Sequence, residues 1–246
     1  MRRGRGATVV TRGFDPAAQS SRACTGSGRR SGLPGPRQGR KASLRSVDTS
    51  LDRVVLVSED DRMVGTMAKL EAHQRGRRHR AISVILRDSR GRLLLQQRAP
   101  GKYHSARLWT NTCCTHPRPD EPVGDAATRR LAEEMGISAS LIPLFTMQYR
   151  SRVSSFLVEH EFVHVFGGIS DQRPKPSASE VASWRWMSWR DAQRDVQLRP
   201  QTYTVWFRKL ARDFSADIAA FCSQSAVPVD SFATRRQASA AAARRR

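Results

Sequence analysis

The spacing of hydrophobic positions changes several times along the chain, and each change marks an element. Arg53-Val54-Val55-Leu56-Val57 is a short β-branched run that ends in the acidic turn Ser58 to Asp61, and it predicts a first strand. Ala81-Ile82-Ser83-Val84-Ile85-Leu86 and Leu93-Leu94-Leu95-Gln96-Gln97 flank Asp88-Ser89-Arg90-Gly91. The glycine supplies the positive φ of a tight turn, so a β-hairpin is predicted. Between Asp125 and Met135 the apolar residues Ala127, Leu131 and Met135 recur every four positions. Asp125 is placed to cap the start and Gly136 follows the end, which predicts a short amphipathic helix. A further strand pair is expected from Ser154 to Gly167, and a late strand at Trp184-Arg185-Trp186-Met187. Beyond Pro200, residues Phe207, Leu210, Phe214, Ile218 and Phe221 fall at helical spacing and predict one terminal helix packed on the sheet. The order β, ββ, α, ββ, β, α is that of a mixed α/β sandwich.

Composition sets the limits of that domain. A chain of 246 residues with 39% hydrophobic content can bury one sizeable core. Residues 1–50 are rich in Arg, Gly, Ser and Pro and show neither strand nor helix periodicity. A disordered basic extension is expected there, a domain over 51–225, and a second basic tail at 226–246. The extension is Arg-rich and acid-poor like an organellar transit peptide, but its Gly and Pro oppose an amphipathic helix. No run approaches the roughly 18 apolar residues of a membrane helix, and no secretory apolar region is present, so no membrane partner and a cytoplasmic setting are expected. Cys24, Cys113, Cys114 and Cys222 make neither a disulfide framework nor a zinc-finger spacing, which points to reduced thiols.

The formal net charge of +21 would suit a polyanion, but over half of the excess lies in the two tails. Only Lys41, Lys69, Lys102, Lys175 and Lys209 are lysines among 43 basic residues, an arginine skew that fits GC-rich coding. Aromatic and basic residues do not interleave, so no specific nucleic-acid partner is expected; tail-mediated nucleic-acid binding is the reading from another class.

Reactive side chains are densest in Trp109-Thr110-Asn111-Thr112-Cys113-Cys114-Thr115-His116-Pro117, followed by Glu121 and by Arg129-Arg130-Leu131-Ala132-Glu133-Glu134-Met135-Gly136-Ile137. From Thr115 onward this resembles a Nudix box, in which a loop and a helix present carboxylates to divalent metal on a diphosphate. Two positions depart from the nucleotide hydrolases: Thr115 stands for their first Gly, and Arg130 for the Glu after their first Arg. Loss of that carboxylate disfavours a hydrolase of nucleoside or other diphosphates, which is kept as the alternative. Both departures are similar to those of type I isopentenyl-diphosphate isomerases. Trp-Thr-Asn-Thr-Cys-Cys-Thr-His-Pro resembles that family's cysteine signature, and Leu157-Val158-Glu159-His160-Glu161 its Glu-x-Glu strand. The likeness runs from about Val54 to Phe207. It implies a single-domain, Nudix-like α/β/α sandwich with a mixed sheet, acting on a small isoprenoid diphosphate in isoprenoid biosynthesis.

Carried over residue by residue, the resemblance implies a metal site of His73, His79, His116, Glu159 and Glu161. Strand alternation independently turns Glu159 and Glu161 to one face and His160 to the other. Imidazoles with carboxylates suit zinc or manganese better than magnesium. Magnesium is implied on the diphosphate, touching Glu134 and the Cys114 carbonyl. Lys69, Arg98, Lys102 and Arg130 are implied as donors to the diphosphate.

Moving a double bond requires a proton delivered at one carbon and another removed nearby, through a tertiary carbocation-like state. Cys114 and Glu161 are the implied pair on opposite sides, with Tyr149 hydrogen-bonding Glu161; which of the two donates stays open. A Cys114 thiolate would need cationic surroundings, and Cys113 reads as a buried, inert thiol. Trp206 is implied as the aromatic face that steadies the cation. Each residue also has a plainer reading: His73 on a helix surface, Glu134 in an ion pair with Arg130, Trp206 in the core beside Phe207 and Leu210. The segment around His73 or the C-terminal helix is expected to close over the substrate and exclude water.

Overall fold

Strand β3 (His79–Arg87) organises the molecule. In the computed structural model, which describes residues 52–224, one edge of β3 runs parallel to β8 (Val158–Ile169) along its whole length, from His79 opposite Glu161 to Arg87 opposite Ile169. Three strands share the other edge in succession. Leu56 of β1 (Arg53–Val57) meets His79, β6 (Cys113–Thr115) meets Ile82–Val84, and Leu93 of β4 (Leu93–Arg98) meets Arg87. The predicted hairpin is therefore paired only at its tip. Its second strand diverges to pair with β9 (Val181–Met187) and the short β5 (Trp109–Thr110), because β6 has taken the edge of β3. The expected extension at 1–50 and tail at 226–246 lie outside the described residues.

Alternation along β3 and β4 divides the core into two layers. Ala81, Ile85, Leu93 and Leu95 face a layer with Trp189, Tyr203, Trp206, Phe207, Leu210, Ile218 and Phe221. Ile82, Val84, Leu86 and Leu94 face Ala127, Leu131, Met135 and Ile137. Strands buried on both faces read as continuous apolar runs rather than alternating ones. The sheet is thus sandwiched between α2 (Val123–Met135) and the helices α3 (Trp189–Leu198), α4 (Val205–Asp213) and α5 (Ser215–Ser223), the α/β/α arrangement expected.

Several elements differ from the sequence expectation. The N-cap of α2 is Pro122, with no side-chain cap, and Asp125 sits in the first turn, where its charge still complements the helix dipole. Gly136 does end α2 at φ 63°, and a Cβ there would come within 2.6 Å of the Lys175 carbonyl oxygen. The strand pair expected over Ser154 to Gly167 is β7 (Leu141–Arg152) with β8, and residues 154–157 form its turn. Pro143 and a bulge between Pro143 and Phe145 hide the periodicity of β7. The single terminal helix is two, divided at Phe214, whose ring stacks on Phe145 at 4.5 Å. Unforeseen were β2 (Met63–Ala68), which pairs with β1, and α3, capped by Ser188 accepting from the Asp191 amide; the helix on which His73 was placed is α1 (Lys69–Arg75). Among the described residues no helix is long and apolar enough to cross a membrane.

Leu131 is fully buried between α2 and the sheet. Leu131→Ala is expected to cost about 2–5 kcal/mol of unfolding free energy, measured by urea denaturation; a loss indistinguishable from zero would contradict this packing.

Candidate active site and metal centre

Strand register assembles the centre of the site. Tyr149 of β7 lies opposite Glu161 of β8, which in turn lies opposite His79 of β3. Paired residues on neighbouring strands share a face, so the three side chains project together. Glu159, two positions before Glu161, projects with them, while His160 points away and meets the Gly76 carbonyl through Nδ1. Helix α1 buries Ala72 against Val54 and Leu56, which carries the adjacent His73 into the same place. His73 is wholly buried, so its plainer reading as a surface helix residue is overturned. His116 follows directly on β6, whose pairing with β3 sets Thr115 beside Ile82.

The result is five ligand atoms, from His73, His79, His116, Glu159 and Glu161, all within 4.8 Å of one another. The donor chemistry fits a cation. His73 Nδ1–H donates to the Lys69 carbonyl at 2.6 Å and His79 Nδ1–H to the Arg77 carbonyl at 2.8 Å. Each ring thereby turns Nε2 inward, the nitrogen through which it would ligate a metal ion, and against the effect of burial the hydrogen bond to Glu159 raises His73. His73 Nε2 lies 3.2 Å from Glu159 Oε2, His79 Nε2 lies 3.7 Å from Glu161 Oε1, and His116 Nε2 lies 2.9 Å from that same oxygen. Nitrogens this close to carboxylate oxygens call for positive charge between them, either a shared proton or a metal ion. Burial pushes His116 down to about 3, with His79 adding to the effect, so its ring is neutral at physiological pH. Burial alone would lift both glutamates, but hydrogen bonds from His104 and His73 hold Glu159 well below the carboxylate range. Those from His116 and His79 hold Glu161 below it despite the neighbouring Glu159. The cluster can hold a divalent metal.

A cleft opens beside this centre. It is lined by Cys114, Tyr149, Glu159, Glu161, His116, Trp206 and Glu134, and also by the four basic residues singled out from sequence, Lys69, Arg98, Lys102 and Arg130. The structure thus brings every expected site residue to the cleft or the cluster behind it. Two of the basic residues are already ion-paired. Lys102 is ion-paired with Glu180, and Arg130 reaches Glu134 at 2.7 Å, Glu133 at 2.8 Å and Glu180 at 3.3 Å. The plain ion pair of Glu134 with Arg130 is therefore present, and Gln96 donates to the second oxygen of Glu134 at 3.0 Å. Burial raises Glu134, with Arg130 and Gln96 opposing it, and burial lowers Lys69.

Cys114 stands opposite Ser83 in the β3–β6 pairing. Its sulfur lies 3.1 Å from Asn111 Nδ2 and 3.6 Å from Ser83 Oγ, and burial pushes the thiol up to about 12 despite both contacts. No cationic group is among its hydrogen-bond partners, so the thiolate considered from sequence is disfavoured here. Cys113 is fully buried as expected. Trp206 belongs to the core beside Phe207 and Leu210, its plainer reading, and also lines the cleft.

Sequence reasoning missed Ser83, Gln96, His104 and Glu180, which register and loop packing deliver with no spacing signal. Asn111 lay within the dense Trp109–Pro117 run, but its neighbours Thr110 and Thr112 are polar too, so nothing in the local sequence singled it out. Its amide donates to Ser83 Oγ and to the carbonyls of Val84 and Cys113, pinning the strand that carries Cys114.

Comparison with known proteins agrees with this architecture. Residues 77–208 match the NUDIX domain family, over half of the chain, and a crystal structure from Deinococcus radiodurans shares the fold with a TM-score of 0.56 at 21% identity, covering 65% of this chain and 98% of that one. The domain match and the fold thus define a Nudix-domain protein. An isopentenyl-diphosphate Delta-isomerase of Aromatoleum aromaticum is 52% identical over 155 residues, covering 63% of this chain and 82% of its own length. One of Burkholderia multivorans is 49% identical, covering 63% and 89%. Within the Nudix proteins, the chain belongs to the isopentenyl-diphosphate Delta-isomerase family.

A thiol near 12 carries roughly a thousandfold less thiolate at neutral pH than one near 9. Iodoacetamide should therefore label Cys114 very slowly near neutral pH, faster by about tenfold per pH unit as alkali is added. Peptide mass spectrometry reads the rate, and rapid labelling at neutral pH would refute the assigned environment.

Proposed function

We propose that this chain interconverts isopentenyl and dimethylallyl diphosphate by adding a proton at one carbon beside the tertiary centre and removing one from the carbon on its other side. A single arrangement carries the reading: a thiol and a carboxylate, Cys114 and Glu161, line one cleft together with an aromatic ring and a basic end. In this assignment Lys69, Arg98, Lys102 and Arg130 bind the diphosphate, and Glu180 must yield Lys102 and Arg130 when it arrives. Trp206 then faces the five-carbon unit, where its ring quadrupole can steady a tertiary carbocation without trapping it as a nucleophile would.

The protonation states favour one assignment of roles. Burial keeps the Cys114 thiol protonated, whereas Glu161 stays ionised among its imidazole neighbours. In the direction that begins from these states, Cys114 S–H gives its proton to the terminal alkene carbon. Glu161 accepts the proton lost from the carbon on the far side of the tertiary centre. The reverse direction starts with those states exchanged. Tyr149 O–H donates to Glu161 Oε2 at 2.8 Å and stays protonated, since burial and Glu161 both raise it well above the usual phenol range. It therefore orients the carboxylate and can relay its proton.

Zinc or manganese at the His/Glu cluster would draw charge from Glu161 and fix its orientation. The residues that would hold it are His73, His79, His116, Glu159 and Glu161. Magnesium on the diphosphate would take Glu134 as its carboxylate, together with phosphate oxygens. Hydrolysis is the weaker reading. Where the hydrolases place a further glutamate, Arg130 instead ties together Glu133, Glu134 and Glu180.

Cys114→Ala should lower isomerisation by about a hundred- to ten-thousandfold while the fold persists by circular dichroism. Unchanged turnover in that variant, or phosphate release by the wild type, would refute the assignment. Dialysis against a chelator should abolish turnover and lower Tm, because it leaves two buried carboxylates without a counter-ion. Retention of both would exclude a metal at this centre.

A further inference from the structure

Each glutamate of the cluster turns one oxygen toward the imidazoles and the other away, and both outward oxygens meet a donor from outside the five. Glu161 turns Oε1 to His116 and accepts the Tyr149 phenol at Oε2. Glu159 turns Oε2 to His73 at 3.2 Å, and its Oε1 lies 2.9 Å from Nε2 of His104. We propose that His104 is a positioning residue of the metal centre, donating from Nε2 to Glu159 Oε1 so that Oε2 is aimed at the ion, as Tyr149 does for Glu161.

The surroundings of His104 suit a fixed donor. The Glu159 oxygen can only accept, which places a ring proton on Nε2, and Ser105 Oγ, 3.2 Å from His104 Nδ1, can then donate to the lone pair there. The side chains of His104 and Glu159 are both only 4% exposed, so water does not compete for that carboxylate oxygen. Trp206 stands edge-on to the imidazole at 6.0 Å between ring centres, and the His104 carbonyl accepts from Arg98 Nη2 at 3.2 Å. Ring and backbone are therefore both restrained. His104 is not itself among the five converging ligands, and its nitrogen is turned to the far oxygen of Glu159. An ion-binding carboxylate that lost this partner would keep a buried oxygen unsatisfied and could rotate, which lowers the fraction of molecules ready to bind metal. His104 also occupies the loop between β4 and β5 that carries Lys102, so the proposed metal and diphosphate sites share one structural support.

This inference rests on the cluster being a metal centre, and the test separates the two. Full-length wild type, His104→Ala and His104→Gln are stripped of metal and titrated with Mn2+ alone and Zn2+ alone against a fluorescent chelator, without substrate, with Tm of each apo-protein recorded. Wild type should bind one ion at the cluster. His104→Ala should bind it about 10- to 100-fold more weakly, and His104→Gln, whose amide nitrogen can reach the same oxygen, should recover most of the loss. No binding by wild type would sink the metal assignment itself. Wild-type affinity in His104→Ala, or a Gln variant as weak as Ala at equal Tm, would overturn the role of His104 alone.

Discussion

The parallel register of β8 against β3 is the constraint on which the site depends. It sets Glu161 beside His79, and the antiparallel register of β7 sets Tyr149 on the other side of Glu161. A slip of one residue in either pairing would turn the alternating side chains to the opposite face and disperse the cluster. Two features hold the register. Alternate residues of β3 pack into two different apolar layers, and Gly167 and Gly168 admit Phe221, Leu144, Leu141 and Leu86 so closely that a Cβ at either position would meet them under 3.0 Å. The hydrophobic core thus specifies where the polar centre forms.

That centre places three imidazoles and two carboxylates in surroundings where charge is poorly solvated. Such a group is tolerable only when its members satisfy one another and their outer oxygens and nitrogens have partners. Four of the five have outer partners, which come from different parts of the chain: the carbonyls of Lys69 and Arg77, the Tyr149 phenol and the His104 ring; Nδ1 of His116 has no partner among the described residues. Each fixes the direction of an inner atom, so the geometry precedes the arrival of an ion.

The cleft divides chemically along its length. At one end Lys102, Arg130, Glu134 and Glu180 form a network of ion pairs, where a diphosphate would meet charges already neutralised within the protein. Elsewhere Cys114, Met147, Val163 and Trp206 give an apolar wall, interrupted by Ser83 and the Tyr149–Glu161 pair. The two kinds of lining would suit an anionic head and a hydrocarbon tail. The same apolar wall raises the thiol and keeps its proton in place.

Much of this was readable along the chain, because strand alternation, helical spacing and glycine stops are local. The runs at Arg53–Val57 and Ala81–Leu86, the α2 repeat ending at Gly136, and the Trp109–Pro117 and Glu159–Glu161 motifs all identify themselves. The metal set came instead from the family resemblance, with strand alternation supporting only Glu159 and Glu161. Pairing partners are not local, and there the reading failed: the apparent hairpin splays because β6 competes for one edge of β3, and β7 is disguised by Pro143 and its bulge. His104 and Glu180 carry no signal in their neighbours, since what they touch lies 55 and 78 residues away. The chain by itself determined which chemical groups were at hand and the faces they would share. Only tertiary packing decided the protonation of Cys114, the counter-ions of Lys102 and Arg130, and the outer donor to Glu159, because burial and long-range contact set those energies.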